Sequence, residues 1–175
     1  MSSFERTDVN RGLGVTEVVG SLVGGAVGRA ILAGGACAAL LDGLDAIVAY
    51  KLALGLGPLT IYQFVASGLL GPAAYQGGLA SALVGVAVHC LIAFSAATVF
   101  VVASRLVPRI AVRFVPFGAL FGVAVFAVMN YLVIPQSRIP PAPFSAPLFL
   151  NGIIGHALFV GIPIAYAAHR ANLPR

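Results

Sequence analysis

Residues 33–49 read Ala-Gly-Gly-Ala-Cys-Ala-Ala-Leu-Leu-Asp-Gly-Leu-Asp-Ala-Ile-Val-Ala, an apolar stretch that carries two carboxylates, Asp42 and Asp45. The rest of the 175-residue chain is similar, since 60% of its residues are hydrophobic and only 9% are charged. Soluble domains carry about 25% charged residues, so this composition is typical of an integral membrane protein. A carboxylate inside a bilayer is costly unless it is paired, protonated or hydrated. The two aspartates are therefore the strongest indication of a functional site.

Four apolar segments are long enough to cross a bilayer, because a spanning helix needs about 20 mostly apolar residues. They cover residues 30–52, 77–103, 112–134 and 148–168. The sequence thus predicts an all-α integral membrane protein, a four-transmembrane-helix bundle that forms one membrane domain over residues 30–175. Residues 1–29 are predicted to be a cytoplasmic N-terminal segment. The pattern leaves open whether residues 18–28 extend the first helix.

The connector between the first and second predicted spans differs from the connector between the third and fourth. In residues 58–71, polar Thr60, Gln63 and Ser67 recur at helical spacing. This pattern predicts an interfacial amphipathic helix between helices 1 and 2, with Tyr62 and Tyr75 at headgroup level, and a re-entrant loop is the alternative. Residues 135–147 contain five prolines. They are predicted to form an extended, non-helical outer loop.

The basic residues predict the orientation of the chain. With four spans, eight of the ten basic residues fall on the side that holds both termini, while Lys51 and Arg138 fall on the other. The eight are Arg6, Arg11, Arg29, Arg105, Arg109, Arg113, Arg170 and Arg175. Positive residues are enriched in cytoplasmic loops, so both termini are expected to be cytoplasmic in a bacterial inner membrane. Because these residues separate apolar segments instead of covering one polar face, the net charge of +5 does not indicate nucleic-acid binding.

The sequence contains no familiar catalytic motif. It has no Walker loop, no Gly-x-Ser-x-Gly elbow, no His-Glu-x-x-His and no Cys-x-x-Cys. Cys37 and Cys90 both lie in apolar segments, which predicts buried free thiols and not a disulfide framework. The chain is therefore more typical of a non-enzyme, although an activity is not excluded.

Each predicted span carries a polar side chain in its outer or middle part. Asp42 and Asp45 lie three residues apart and share one helix face. His89 lies in a strip of small residues, which mark close approach between membrane helices. The candidate binding or proton-relay residues are Asp42, Asp45, His89, Asn130, Asn151 and His156.

Three functions fit this set of residues. The first is binding or transfer of protons or a small cation, since histidine titrates near neutral pH. The second is a non-enzymatic accessory subunit in which the polar residues only fix helix packing, the simplest role for Asn130 and Asn151. The third is a membrane metal- or haem-binding protein, with Asp42, Asp45, His89 and His156 as candidate metal ligands. Haem ranks last, because His89 and His156 differ by about 6 Å in depth on the helical rise. No cofactor is predicted.

The predicted partners are lipid and a second copy of the chain. Gly-x-x-x-Gly patterns such as Gly20–Gly24 and Gly24–Gly28 are typical of helix packing or dimerisation in membranes. A homo-oligomer through Gly- and Ala-rich helix faces is therefore expected, with no nucleic-acid partner.

Residues 89–170 also carry a set of weak family motifs. These are His89 in an apolar helix, Ala103-Ser-Arg-Leu-Val-Pro108, Gly118 and Gly122, Pro135 with the prolines after it, and Gly155-His156. In these motifs the chain resembles small uncharacterised bacterial four-span inner-membrane proteins of the YagU-like kind. The resemblance implies an inner-membrane location and a link to acid tolerance, and it draws attention to His89 and His156.

Overall fold

The structure is a computed structural model that describes residues 25–172. This part of the chain is mostly helical and contains no strand. Its α-helices are α1 (Ala26–Leu54), α2 (Pro58–Leu70), α3 (Gly78–Leu106), α4 (Pro108–Val112), α5 (Phe114–Gln136) and α6 (Ala146–Asn172), and a 3-10 helix (Gly71–Gln76) follows α2. Four of them, α1, α3, α5 and α6, are long and apolar enough to cross a membrane. The all-helical class and the four long apolar helices are therefore confirmed.

The ends of the helices differ from the predicted ends for local reasons. Helix α1 begins at Ala26, so residues 26–29 belong to the helix and not to a separate N-terminal segment, while residues 1–24 lie outside the described part. The helix ends at Gly55, whose φ of 72° turns the chain so that the Leu56 N–H reaches the Tyr50 carbonyl. The third span was predicted from residue 112, but Val112 lies in α4. Helix α5 starts only after Arg113, whose backbone is not helical.

Two of the five prolines in the predicted outer loop are helical, which corrects the prediction for residues 135–147. Pro135 lies in the last turn of α5, directly after a π-helical turn at Met129–Val133. Pro147 lies in the first turn of α6, where a missing N–H costs nothing. Pro163, inside α6, also follows a π turn, His156–Gly161. Local π-helical turns let a membrane helix tolerate a proline. Within the predicted outer loop, only residues 137–145 are non-helical.

Helix α1 lies at the centre of the bundle, between α3 and α6, and α5 packs on the far side of α6. The α5–α6 contact is made by glycines. A Cβ atom at Gly122 would overlap the His156 carbonyl, and one at Gly161 would overlap the Gly118 carbonyl. The two backbones therefore touch, which is how small residues hold membrane helices together.

The closed apolar core lies in one half of the bundle, where α1 begins and α3 and α6 end. It includes Val27, Ala30, Phe100, Val101, Ile164 and Ala168. The cysteines are free, as predicted, but Cys37 is exposed on the outside of α1 instead of buried, and Cys90 is half-buried. The six candidate polar residues are not part of this core.

Helix α2 turns polar residues towards α3, and its place at the membrane interface stays a prediction. Gln63 is 5% exposed and donates to the Gly78 carbonyl at 3.0 Å, and Ser67 is fully buried. Leu59 and Leu69 face outward instead. A Cβ at Gly85 would overlap the Tyr62 carbonyl, so this glycine lets α2 lie directly against α3. The polar face of α2 is therefore used for protein contact.

Candidate functional site

Asp42 lies between two imidazoles that come from two other helices. The Nδ1 atom of His156 lies 3.6 Å from Asp42 Oδ1, and the Nδ1 atom of His89 lies 4.0 Å from Asp42 Oδ2. The three side chains are between 17% and 22% exposed. Helices α1, α3 and α6 each supply one member, and we call Asp42, His89 and His156 the triad. The structure thus brings together three of the six residues that the sequence singles out.

The second nitrogen of His89 determines where its proton lies. Its Nε2 atom is 2.9 Å from the Ala39 carbonyl oxygen, which can only accept a hydrogen bond. The Nε2 atom therefore carries hydrogen, and a neutral His89 presents a bare Nδ1 to the Asp42 carboxylate. Two acceptors then face each other across 4.0 Å. A proton on Nδ1 or on the carboxyl group relieves this conflict, and so does a water molecule that donates to both acceptors.

His156 is held in place by both its ring and its backbone. The ring packs edge-on against Phe126, with centroids 5.4 Å apart. Its carbonyl lies against Gly122, where any side chain would collide with it. His156 also begins the π turn of α6, and such turns are frequent at functional sites. The approach of this imidazole to Asp42 therefore depends on the α5–α6 contact.

Asp45 has a separate partner, although it shares a helix face with Asp42. The Asn151 amide donates to Asp45 Oδ2 at 2.8 Å. A Cβ at Gly155 would lie 2.5 Å from the same oxygen, so the glycine makes room for this carboxylate. Asn151 therefore forms an interhelical hydrogen bond, and its acceptor is one of the two aspartates.

Asn130 does not join either group. Its amide donates at 2.9 Å to the Phe126 carbonyl, one turn earlier in α5. The residue lies in the π turn Met129–Val133. The structure therefore places this candidate in a bond within its own helix.

Replacing Asn151 by alanine should destabilise the protein by about 1 kcal/mol, the usual scale of a polar contact between membrane helices. The reason is that Asp45 loses the amide that donates to it. A drop in the thermal unfolding midpoint of roughly 3 °C is expected for a chain of this size. Asn130→Ala is the matched control, because it removes the same group from a bond inside one helix. A control variant that loses as much stability would contradict an interhelical role for Asn151.

Tyr62 approaches the triad from α2, which the sequence did not predict. A Cβ at Gly43 would lie 2.7 Å from the Tyr62 hydroxyl and 3.5 Å from His89 Nε2, so both groups meet at this glycine. The Tyr62 ring stands edge-on to His89, with centroids 6.1 Å apart. Burial raises the pKa of Tyr62, and nearby Cys90 and Asp42 raise it further. Tyr62 is therefore a protonated phenol beside the triad, and its place at headgroup level stays a prediction.

The triad faces a small cavity of about 110 Å³. The polar lining consists of the triad, while the remaining walls are apolar and come from α1, α2, α3, α5 and α6: Ala38, Val65, Ile92, Ala93, Ala96, Val125, Met129 and Val160. Water occupies about 30 Å³ per molecule in the liquid, so a few water molecules fit beside the three polar groups.

The geometry does not fit a haem. A haem held by His89 and His156 would need its macrocycle between the two rings, and Asp42 occupies that position. The cavity of about 110 Å³ is also smaller than the roughly 300 Å³ at which ligand pockets begin. The histidines therefore meet at a carboxylate instead of clamping a cofactor.

The four candidate metal ligands do not form one ligand set. Asp45 is bonded to Asn151, and the two imidazoles approach different oxygens of Asp42. Within residues 25–172, no three His, Cys, Asp or Glu side chains are placed to hold a metal ion. The arrangement fits proton binding better than metal coordination.

Comparison with protein-family models, curated proteins and solved structures finds no match to this chain. The YagU-like resemblance of residues 89–170 therefore stays a prediction.

Proposed function

We propose that this protein binds and releases protons at the triad and passes them through the cavity from one face of the membrane to the other. The observation that carries this proposal is the Nε2 contact of His89 with the Ala39 carbonyl. It turns an unprotonated Nδ1 towards Asp42, so two proton acceptors from different helices face each other at the triad. Histidine changes charge between about pH 5 and 8, so such a site responds to pH changes that cells meet.

A proton suits the site better than a small metal cation. A cation needs several lone pairs that converge on it, and His89 has only Nδ1 left to offer once Nε2 donates to Ala39. The cavity supplies no further polar side chain beyond the triad. Its room for a few water molecules supports short proton-carrying chains between Asp42 and the imidazoles.

The alternative is an accessory subunit in which buried polar residues only fix helix packing. The Asp45–Asn151 bond favours this role for the second aspartate, because it satisfies the carboxylate with a neutral donor from another helix. The triad does not favour a packing role, since the imidazole Nδ1 atoms lie 3.6 and 4.0 Å from the Asp42 oxygens, too far for a direct hydrogen bond. Loose contacts of this kind hold helices together poorly and leave space for water.

The proposed setting is a bacterial cytoplasmic membrane with both termini on the cytoplasmic side. The support is the distribution of basic residues. Arg29, Arg105 and Arg170 lie at the end of the bundle that carries the closed apolar core, and Lys51 and Arg138 lie at the other end. In this orientation the core faces the cytoplasm and the triad belongs to the outer half. Whether the protein forms a homo-oligomer stays a prediction, because the buried glycines of α5 and α6 pack within one chain.

The proposal is tested with purified protein in liposomes that contain a pH-sensitive dye. A potassium diffusion potential is imposed with valinomycin, and the rate of internal pH change is recorded. We expect a faster change than in protein-free liposomes, and the same rate when sodium is replaced by choline. A rate equal to that of protein-free liposomes would contradict proton transfer, and a rate that requires sodium would favour a cation.

A further inference from the structure

A second cavity lies away from the triad, where the short helix α4 connects α3 to α5. Its volume is about 430 Å³, and Arg109, Val112, Arg113 and Phe117 line it. Helix α4 is fixed to α6 on its other side. Ala111 is buried there, and its carbonyl lies 3.0 Å from His169 Nδ1. The lining side chains are therefore presented outward by an anchored segment.

Both arginines of this cavity are free of partners within the described residues. Neither guanidinium forms an ion pair or a hydrogen bond there, whereas Arg105 donates to the Ala171 carbonyl and Arg170 to the Tyr166 hydroxyl. The only acidic side chains in residues 25–172 are Asp42 and Asp45, which belong to the triad and to the Asn151 contact. Arg109 and Arg113 thus place two charges on one cavity that no acidic side chain of residues 25–172 neutralises. Guanidinium groups match phosphate geometry well.

The rest of the cavity is apolar, and this decides between classes of anion. Val112 is 71% exposed and Phe117 is 37% exposed. A free phosphate would leave both side chains against water. A phospholipid satisfies both parts, since its phosphate meets the arginines while an acyl chain lies along Phe117 and the outer surface of α5. The cavity is also at the end of a helix long enough to span a membrane, which is the level of the headgroups.

We infer that this cavity binds an anionic phospholipid, with the headgroup phosphate on Arg109 and Arg113 and an acyl chain against Val112 and Phe117. Basic pockets beside membrane helices bind acidic lipid headgroups in this way. The site does not depend on the triad, so it stands even if the protein transfers no protons.

The test titrates purified full-length protein in a non-ionic detergent with phosphatidylglycerol and counts bound lipid by native mass spectrometry. We expect phosphatidylglycerol to bind more tightly than phosphatidylcholine. The double variant Arg109→Gln/Arg113→Gln should bind it about 30-fold more weakly, since each basic side chain near an anionic lipid contributes a factor of roughly five. The control Arg29→Gln/Arg170→Gln removes the same charge from the same end of the bundle and should keep most of the affinity.

Three results would overturn the inference. An equal loss of phosphatidylglycerol affinity in both double variants would show general electrostatic attraction of the lipid to the basic end of the bundle and not a specific site. Displacement of the lipid by glycerol 3-phosphate at similar concentration would assign the arginines to a free phosphate. Equal affinity of the wild-type protein for phosphatidylglycerol and phosphatidylcholine would exclude an anionic site even if the double variant failed to fold.

Discussion

Replacing Asp42 by asparagine should lower the proton flux of the reconstituted protein about 100-fold, the scale on which a positioned acid–base group acts. Asparagine keeps the shape of the side chain but cannot take up a proton. Both imidazoles then lose the carboxylate that lies 3.6 and 4.0 Å away. The fold should persist, because the new amide can donate to one bare Nδ1. The measurement is the dye-based flux in liposomes, with the folded state checked by circular dichroism.

Asp45→Asn is the matched control for this prediction. It makes the same chemical change on the same face of α1, but Asp45 contacts Asn151 and not an imidazole. Its flux should stay close to that of the wild-type protein. Equal losses in the two variants would contradict the assignment of proton binding to the triad, and an unchanged flux in Asp42→Asn would favour the accessory role.

Replacing Gly122 by leucine should cause the largest loss of stability of any single change considered. The new Cβ would meet the backbone carbonyl of His156, which cannot move unless α5 and α6 separate. Overpacking costs about 1–3 kcal/mol, or more where the neighbour is rigid, so the thermal midpoint should fall by roughly 10 °C. Separation of the helices would also draw His156 away from Asp42. The unfolding midpoint and the proton flux should therefore fall together.

Gly57→Leu provides the comparison, since a Cβ at Gly57 meets nothing within 4 Å. It adds the same side chain to the same bundle without a backbone collision. Its midpoint should lie close to that of the wild-type protein. If Gly122→Leu also unfolded at the wild-type temperature, direct backbone contact between α5 and α6 would be wrong.

The helical class of the protein and three members of its site were predictable from sequence, because both depend on the free-energy cost of placing polar groups in lipid. Apolar runs of spanning length predict the four long helices, and polar groups in such helices avoid lipid, so Asp42, His89 and His156 were expected inside the bundle. The helix ends were less predictable. Gly55 ends α1 by adopting a left-handed backbone, and the backbone of Arg113 leaves the helical region between α4 and α5. Hydropathy does not reveal either backbone conformation.

The partners of individual polar residues were not predictable, because they depend on how each helix is rotated. Asn130 lies in a π turn, which departs from the regular helical period, and it bonds to its own helix. Gln63 and Ser67 form the same pattern whether they face water or a protein surface, so the position of α2 was not determined. Tyr62 reaches His89 only because Gly43 and Gly85 leave space on two other helices. A contact that depends on three helices cannot be predicted from any one segment of the sequence.

¹⁵N NMR of the imidazole nitrogens tests the claim that Asp42, His89 and His156 bind protons as one unit. Spectra of the protein in bilayers are recorded from about pH 5 to 8, the range in which histidine titrates. The chain has three histidines, and His169, bonded to the Ala111 carbonyl, serves as the internal reference. We predict hydrogen on Nε2 of neutral His89, linked titration of His89 and His156, and displacement of both curves by Asp42→Asn with His169 unchanged. Independent titration of His89 and His156, unaffected by Asp42→Asn, would contradict the claim.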